Sequence, residues 1–193
     1  MACTALTKGR ALDCNRVSGG VKYVYFSVFD DFSRAQWAYV TGTEGEIDTI
    51  DFNSSTIYRY TVPRGSTTAN ETITGSTENG TVFYTPTLSM VLNRLTKEDQ
   101  NEVKLLGQTQ VRIFAQLNSA LANGHDRIIA LGMHNAMSLN AGSADSGAAF
   151  GDRNGYTLTF DGLEAQPFAM LSDYTTEPFD NTLFTNLTLI DKD

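Results

Sequence analysis

The chain has few of the residues from which metal and cofactor sites are built. Its 193 residues include two cysteines, Cys3 and Cys14, and two histidines, His125 and His134. A structural zinc site needs about four ligands, and neither pair shows the close spacing of zinc-finger ligands. We therefore interpret Cys3 and Cys14 as free thiols rather than as a disulfide or a metal site. No cofactor and no metal ion is expected.

Long apolar runs are also missing. No stretch approaches the roughly 20 apolar residues of a membrane-spanning helix, and residues 1–10 contain no signal-peptide core. The sequence therefore predicts that the protein has no membrane partner. It also predicts a product that stays, or assembles, in the cytoplasm of the cell that makes it.

Sequence signatures of catalysis are absent as well. The small-residue stretch 141–152 does not end in the Gly-Lys-Ser/Thr of a phosphate-binding loop, and no serine lies in a Gly-x-Ser-x-Gly turn. We interpret His125 and His134 as surface histidines, in a turn and at a strand end, rather than as general bases. Asp30 and Asp31 are interpreted as solvated turn carboxylates, because such cation sites use about six oxygen ligands. We expect no catalytic residue and no enzymatic activity.

Positive charge is scarce. The chain has 14 lysines and arginines against 22 aspartates and glutamates, a net charge of −8 at pH 7. Strong nonspecific binding of nucleic acid depends on cationic side chains that neutralise phosphates and release counterions. The composition argues against such binding, although an acidic surface could let DNA slide past without holding it.

The residues that are abundant are typical of β-sheets. Aromatic side chains make up 10% of the chain and threonine is frequent, and both favour a pleated sheet. Val21–Phe29 is apolar on both faces, which predicts a strand that is buried on both sides or contacts a partner. Residues 35–40 predict a returning strand with Trp37 and Tyr39 on one face.

Later segments predict further strands. Alternating apolar and polar side chains predict half-buried strands at residues 88–95, 111–117 and 156–160. Residues 41–80 are polar with short strand-like runs, of which 56–62 is the best. Residues 141–150 are predicted to form a small, flexible loop, and residues 168–171 to close the sheet.

A hairpin is predicted where Asn79-Gly80 precedes an apolar run. Asn-Gly favours a tight hairpin turn, so Thr81–Tyr84 should pair with residues 71–74. Pro86 lacks a backbone N–H and predicts a bulge or an edge position.

One helix is predicted, at about residues 96–106. Thr96 is a favourable N-cap with Asp99 at the reciprocal capping position, and Gly107 predicts a left-handed stop. The predicted fold is therefore mainly β: a β-sandwich or barrel-like sheet with one α-helix and extended arms.

We predict a single β-rich domain over residues 1–171, beginning with an N-terminal arm, and a C-terminal extension over residues 172–193. The apolar residues of the extension predict either an added edge strand or a segment that docks on a neighbouring subunit. The doubly apolar first strand, the hairpin region and the terminal arms favour self-assembly. A monomeric β-sandwich that binds carbohydrate through exposed Trp37 or tyrosines is the alternative.

Three parts of the chain carry a resemblance to a known family: residues 6–14 with 19–25, residues 88–95 with the helix start, and residues 151–160. Over most of residues 1–171 the chain resembles the tail tube proteins of tailed bacteriophages, whose fold is shared with the tubes of contractile injection systems. The resemblance implies a tail-tube-like subunit without an active site. Such subunits form stacked hexameric rings around an acidic channel, through which DNA passes without specific binding.

The resemblance further implies a virion protein, assembled in the host cytoplasm, with other tail proteins such as tape measure, terminator or sheath as partners. Strands 21–29, 88–95, 111–117 and 156–160 would build the inter-subunit sheet and the core. The arm around residues 65–85 and the termini would join ring to ring. Because residues 172–193 exceed a minimal tube subunit, a neck or tail-terminator ring protein stays open as an alternative.

Overall fold

The computed structural model describes residues 10, 18–121 and 123–191. The predicted N-terminal arm, with Cys3 and Cys14, lies almost entirely outside the described residues. The strands are β1 (Val21–Val28), β2 (Trp37–Val40), β3 (Thr43–Thr61), β4 (Thr68–Ser76), β5 (Thr81–Asn93), β6 (Val111–Ala120), β7 (Asp126–Leu131), β8 (Ser138–Asp145), β9 (Gly155–Asp161), β10 (Ala169–Leu171) and β11 (Phe184–Asp191). The helix α1 spans Lys97–Leu106, and short 3-10 turns lie at Phe29–Asp31 and Arg34–Gln36. The predicted mainly β fold with one helix is confirmed.

The larger sheet closes on itself. Its hydrogen-bonded order runs β1, β6, β7, β10 and β3, and β3 pairs again with β1. The three-residue β10 completes the circuit, because it pairs with β7 on one side and with β3 on the other. Strands β2 and β11 also pair with β3.

Strand β3 is much longer than the sequence predicted. It runs for 19 residues where short strand-like runs were expected. Asn53 and Ser54 adopt positive φ angles of 53° and 63° in its middle, and the pairing with β11 shifts register beside them. Asparagine tolerates this conformation well, so a bulge joins the two polar runs into one continuous strand.

The smaller sheet is antiparallel, in the order β4, β5, β9 and β8. The predicted hairpin is confirmed, since Ser76 pairs with Thr81. The bulge predicted at Pro86 is wrong: Pro86 pairs with Glu71 without a register shift. The carbonyl of Pro86 accepts a hydrogen bond from the Gly162 N–H at 3.2 Å. The nitrogen and the carbonyl of one residue point to the same side of an antiparallel strand, so the Pro86 nitrogen faces Gly162, which lies just beyond the end of β9.

Two apolar cores lie on opposite faces of the larger sheet. The first contains residues from all five strands of the closed circuit, among them Tyr25 and Phe114, and fills its interior. The second lies between the two sheets and includes Phe26 and Ile113. Strand β1 is therefore buried on both faces, which was one of the two alternatives predicted for Val21–Phe29. Strand β6 was predicted to be half-buried but is buried on both faces for the same reason.

Helix α1 begins as predicted, with the Thr96 hydroxyl accepting a hydrogen bond from the Asp99 N–H at 3.0 Å. The left-handed stop at Gly107 is wrong, since its φ is −71°. The chain instead continues in a tight turn, in which the Gln108 N–H donates to the Leu105 carbonyl at 3.0 Å.

Two C-terminal regions complete the sheets. Residues 141–145, predicted as a loop, belong to β8, because their backbone pairs with β9 while their small side chains stay exposed. Residues 172–191 add the edge strand β11, parallel to β3, and bury Tyr174, Phe179 and Phe184 in the first core.

Candidate assembly interface

The smaller sheet has two open edges. Within residues 18–121 and 123–191, the backbone of β4 pairs only with β5, and that of β8 only with β9. Edge strands of monomeric proteins are usually shielded by lysine, proline, bulges or charges. The only charged residue of β4 is Glu71, and β8 has none before Asp145. A bulge disturbs the start of β8 at Asn140, but the five residues after it pair regularly and leave an edge that another strand could join.

The strands that the sequence assigned to the inter-subunit sheet have no open edge. β1 lies between β6 and β3, β6 between β1 and β7, β5 between β4 and β9, and β9 between β5 and β8. These strands do supply the core. Any pairing between copies through the smaller sheet must therefore use β4 and β8, which sequence patterns did not single out.

The outer face of the smaller sheet carries hydroxyl groups and no cations. Its inner face is buried through Leu88, Met90, Leu158 and Phe160. The side chains that alternate with these residues on β4, β5, β8 and β9 are mainly Thr68, Thr72, Thr74, Thr85, Thr87, Ser89, Ser143, Thr157 and Thr159. No lysine or arginine occurs in any of the four strands. The strands of this face therefore offer no positive charge to a phosphate backbone.

The two open edges are displaced along the strand direction. Thr72, at the centre of β4, pairs with Thr85 of β5. Near the centre of β8, Gly142 pairs with Leu158 of β9, which in turn pairs with Met90 of β5. This displacement is about five residues, or roughly 16 Å, across a sheet roughly 19 Å wide. If β8 of one copy paired with β4 of the next at their centres, the strands would tilt by about 40°, within the range of about 35–45° that closed barrels adopt.

Apolar side chains are exposed at both ends of the smaller sheet. At the hairpin end, Ile73 is 66% exposed, Val82 58% and Phe83 39%. At the opposite end, Phe150 is fully exposed in the turn between β8 and β9, and Leu95 is partly exposed just beyond β5. Monomeric proteins seldom expose clustered apolar residues, so both ends are candidate contact surfaces.

The two histidines contact aromatic side chains. The His125 ring lies 4.9 Å from the Tyr174 ring. His134 is half-buried, with its Nε2 3.3 Å from the Tyr39 hydroxyl oxygen. Burial, helped by the nearby guanidinium of Arg34, lowers the pKa of His134, so its imidazole is neutral near pH 7. These contacts account for both rings by packing.

The other candidate residues of the sequence analysis were Trp37, Asp30 and Asp31. Trp37 is buried, with the Arg34 guanidinium 3.8 Å from its ring centre, so the exposed tryptophan assumed for sugar binding is wrong. Asp30 is exposed and Asp31 is half-buried in the first 3-10 turn. In the described part of the chain, no three histidine, cysteine or acidic side chains cluster as metal ligands.

A buried arginine fastens the first 3-10 turn to the larger sheet. Arg112 is 3% exposed, and its guanidinium donates to the carbonyls of Phe29, Phe32 and Met133 at 2.6, 2.7 and 3.2 Å. Burial lowers the pKa of Arg112 to about 10, so the guanidinium stays charged at neutral pH. The alternation of β6 placed Arg112 on a solvent face, and no sequence signal indicated this role.

Glu164 is a second buried charged side chain, and the positive charge of Arg112 acts on its carboxyl group. It is 5% exposed, and its Oε1 accepts hydrogen bonds from the backbone N–H groups of His134 and Asn135 at 3.1 and 3.0 Å. Its Oε2 is buried without a hydrogen-bond partner among the described residues. Burial raises the pKa of the Glu164 carboxyl. A carboxyl whose folded pKa lies above its unfolded value stabilises the fold while protonated, and that contribution is lost as the pH rises through the folded pKa.

Glu164→Gln should therefore become more stable relative to the parent chain as the pH rises from about 4.3, the ordinary pKa of glutamate, towards neutrality. The glutamine keeps the acceptor for the two N–H groups and removes the buried charge. Urea unfolding of both chains at several pH values between 4 and 8 measures the difference. A difference in unfolding free energy that is constant, or that falls with rising pH, would contradict this assignment.

In the described residues, no helix is long and apolar enough to cross a membrane. Neither the protein-family models, nor the curated proteins, nor the solved structures contain a match to this chain. The geometry of the smaller sheet is therefore the basis for a functional assignment.

Proposed function

We propose that the chain is a structural virion subunit that assembles into stacked rings, forming the tail tube of a tailed bacteriophage. The observation that carries the proposal is a four-stranded sheet with two unshielded open edges and no lysine or arginine in its strands. The resemblance of the sequence to tail tube proteins supports a hexameric ring. The role is structural rather than catalytic.

Ring closure follows from pairing the two edges of neighbouring copies. β4 and β8 run in opposite directions within the sheet, so β8 of one copy meets β4 of the next as an antiparallel pair. Such a contact joins two different surfaces, and it closes when the rotation between copies closes. Six copies would form a barrel of about 24 strands, roughly 50 Å across between backbones at a tilt of about 40°. That channel is wider than a DNA duplex.

The outer face of the smaller sheet would line this channel, because the larger sheet covers the other face. DNA is held mainly through cationic contacts to phosphates. A wall of threonine and serine hydroxyls, in a protein with a net charge of −8, provides no such contacts from its strands. DNA would pass through the channel without specific binding.

The remaining partners would be other tail proteins, such as tape measure, terminator or sheath, with assembly in the host cytoplasm. A neck or terminator protein is also a ring, but it does not repeat along an axis. Exposed apolar side chains at both ends of the smaller sheet favour a ring that stacks on further copies of itself.

Electron microscopy and light scattering of the purified full-length chain test the proposal. We expect rings that lengthen into tubes as the protein concentration rises, and the same protein in phage tails. Rings that never stack at any concentration would favour the neck or terminator role. A chain that stays monomeric under all conditions and is absent from virions would overturn the proposal.

A further inference from the structure

The closed circuit of the larger sheet is polar at one of its two ends. Side chains two apart on a strand share a face, so the rows that point into the first core continue towards this end. The rows converge there, because β1 and β7 begin where β3 and β6 end. Beyond the apolar residues of the core, the next members of these rows are Arg59, Gln116 and Asp126.

These three side chains line a cleft of about 360 Å³. The segment after β10 completes its rim through Tyr174 and Glu177. Small-molecule sites have volumes of roughly 300–1,000 Å³ and are often found in the mouths of β-barrels. The size and the position of the cleft therefore both fit a ligand site.

A chain of hydrogen bonds forms the floor of the cleft. The Tyr25 hydroxyl donates to Gln116 Oε1 at 2.7 Å, and Gln116 Nε2 donates to Asp126 Oδ2 at 2.8 Å. Tyr25 is 1% exposed and Gln116 is 5% exposed. Burial raises the pKa of Tyr25, so its hydroxyl keeps the proton that it donates at neutral pH. Because buried polar groups cost free energy unless they are hydrogen-bonded, apolar side chains would close a purely structural barrel end more cheaply.

The charges that line the cleft are balanced. Its lysine and its arginine are each ion-paired, Lys22 with Asp126 and Arg59 with Asp191. Glu177 is an exposed carboxylate at the rim. Among the described lining residues, an anionic ligand would therefore find no unpaired lysine or arginine. A cationic ligand would gain little from a carboxylate that is solvated.

Donors and acceptors alternate along the floor instead. The Lys22 ammonium and the Gln116 amide donate to the Asp126 carboxylate, and the Tyr25 hydroxyl can both donate and accept. The hydroxyl groups of a sugar also donate and accept at once, so they match such a row. We propose that this cleft binds a neutral molecule with several hydroxyl groups, of the size of a monosaccharide. The cleft uses neither β4 nor β8, so the site does not depend on the proposed tube.

Saturation-transfer NMR of the full-length chain, with free sugars as probes, tests the site. We expect a signal from at least one of glucose, galactose and mannose at millimolar concentration. Glucuronate should bind more weakly than glucose, because it brings a charge that no free cation of the cleft neutralises. Cyclohexanol has a ring of the same size and a single hydroxyl, and it should give no signal because it leaves the polar groups of the floor unpaired.

Two variants of the floor locate the binding. Tyr25→Phe removes only the hydroxyl and keeps the ring that packs against Phe179, and Gln116→Leu removes the amide at a similar volume. Each should weaken sugar binding roughly 5- to 10-fold. The phenylalanine variant keeps the test decisive if the leucine variant does not fold. The control is Asp30→Asn, an exposed change beyond the opposite end of β1, which should leave sugar binding unchanged.

The outcomes separate this site from the proposed function. No signal from any of the neutral sugars with the folded chain would overturn it. Binding that both floor variants leave unchanged would also overturn it, because the sugar would then lie elsewhere. Glucuronate that binds as well as glucose would contradict the neutral ligand. A chain that forms rings without binding a sugar would lose only this site, and a monomer that binds a sugar would keep the site and lose the tube.

Discussion

Ala144→Pro is expected to abolish ring formation and leave a folded monomer. In an antiparallel strand, the N–H and carbonyl groups of successive residues alternate between the two neighbouring strands. The Arg94 N–H donates to the carbonyl of Asn154, the residue just before β9. Continuing this alternation along β9, the backbone groups of its even-numbered residues bond to β5 and those of its odd-numbered residues bond to β8. Ala144 lies opposite Tyr156, and its N–H therefore points to the open edge.

Proline at this position removes an outward donor and places its ring on the edge, without breaking a hydrogen bond inside the chain. The matched control is Ala144→Val, which adds similar bulk and keeps the N–H. We expect the valine variant to form rings and the proline variant to scatter light as a single chain. Rings formed equally well by both variants would show that β8 is not a ring contact.

The proline variant should also interfere with the parent chain. Its β4 edge is intact, so it can add to one side of a growing ring, but its β8 edge cannot accept the next copy. A minor fraction of Ala144→Pro mixed with the parent chain should therefore lower the yield of closed rings more than its share of the mixture. Counting rings at several mixing ratios measures this effect, and a loss no larger than simple dilution would contradict it.

Arg112→Met should destabilise the fold by about 3–5 kcal/mol, because it leaves the buried carbonyl groups of Phe32 and Met133 without this donor and removes a cation that acts electrostatically on Glu164. The corresponding fall in melting temperature is roughly 10 °C. The exposed Arg153→Met is the control and should change the unfolding free energy by less than about 0.5 kcal/mol. Urea unfolding measures both variants, and similar stabilities would contradict the fastening role of Arg112.

The coupling to Glu164 provides a second measurement. In a Glu164→Gln background no buried carboxylate is left without its cation, so Arg112→Met should cost less there than in the parent chain. Equal costs in the two backgrounds would show that the two side chains act independently.

Local patterns predicted the elements whose signals lie within a few residues. Asn79-Gly80 and Thr96 located the hairpin and the start of the helix, since turn and cap preferences arise from neighbouring backbone groups. The error at Gly107 was local, but two larger errors came from long-range contacts. Arg112 is buried because β6 lies between two cores, and residues 141–145 form a strand because β9 pairs with them.

The sequence by itself determined that the protein is mainly β with one helix, that it is acidic, and that it is poor in lysine and arginine. It also suggested the tail tube resemblance. Only the tertiary structure decided which strands keep open edges, that Trp37 is buried, and that Tyr25, Gln116 and Asp126 meet in a cleft at one end of the larger sheet. Side-chain alternation reports which face of a strand is apolar, whereas backbone pairing between distant residues decides which edge is left for a partner.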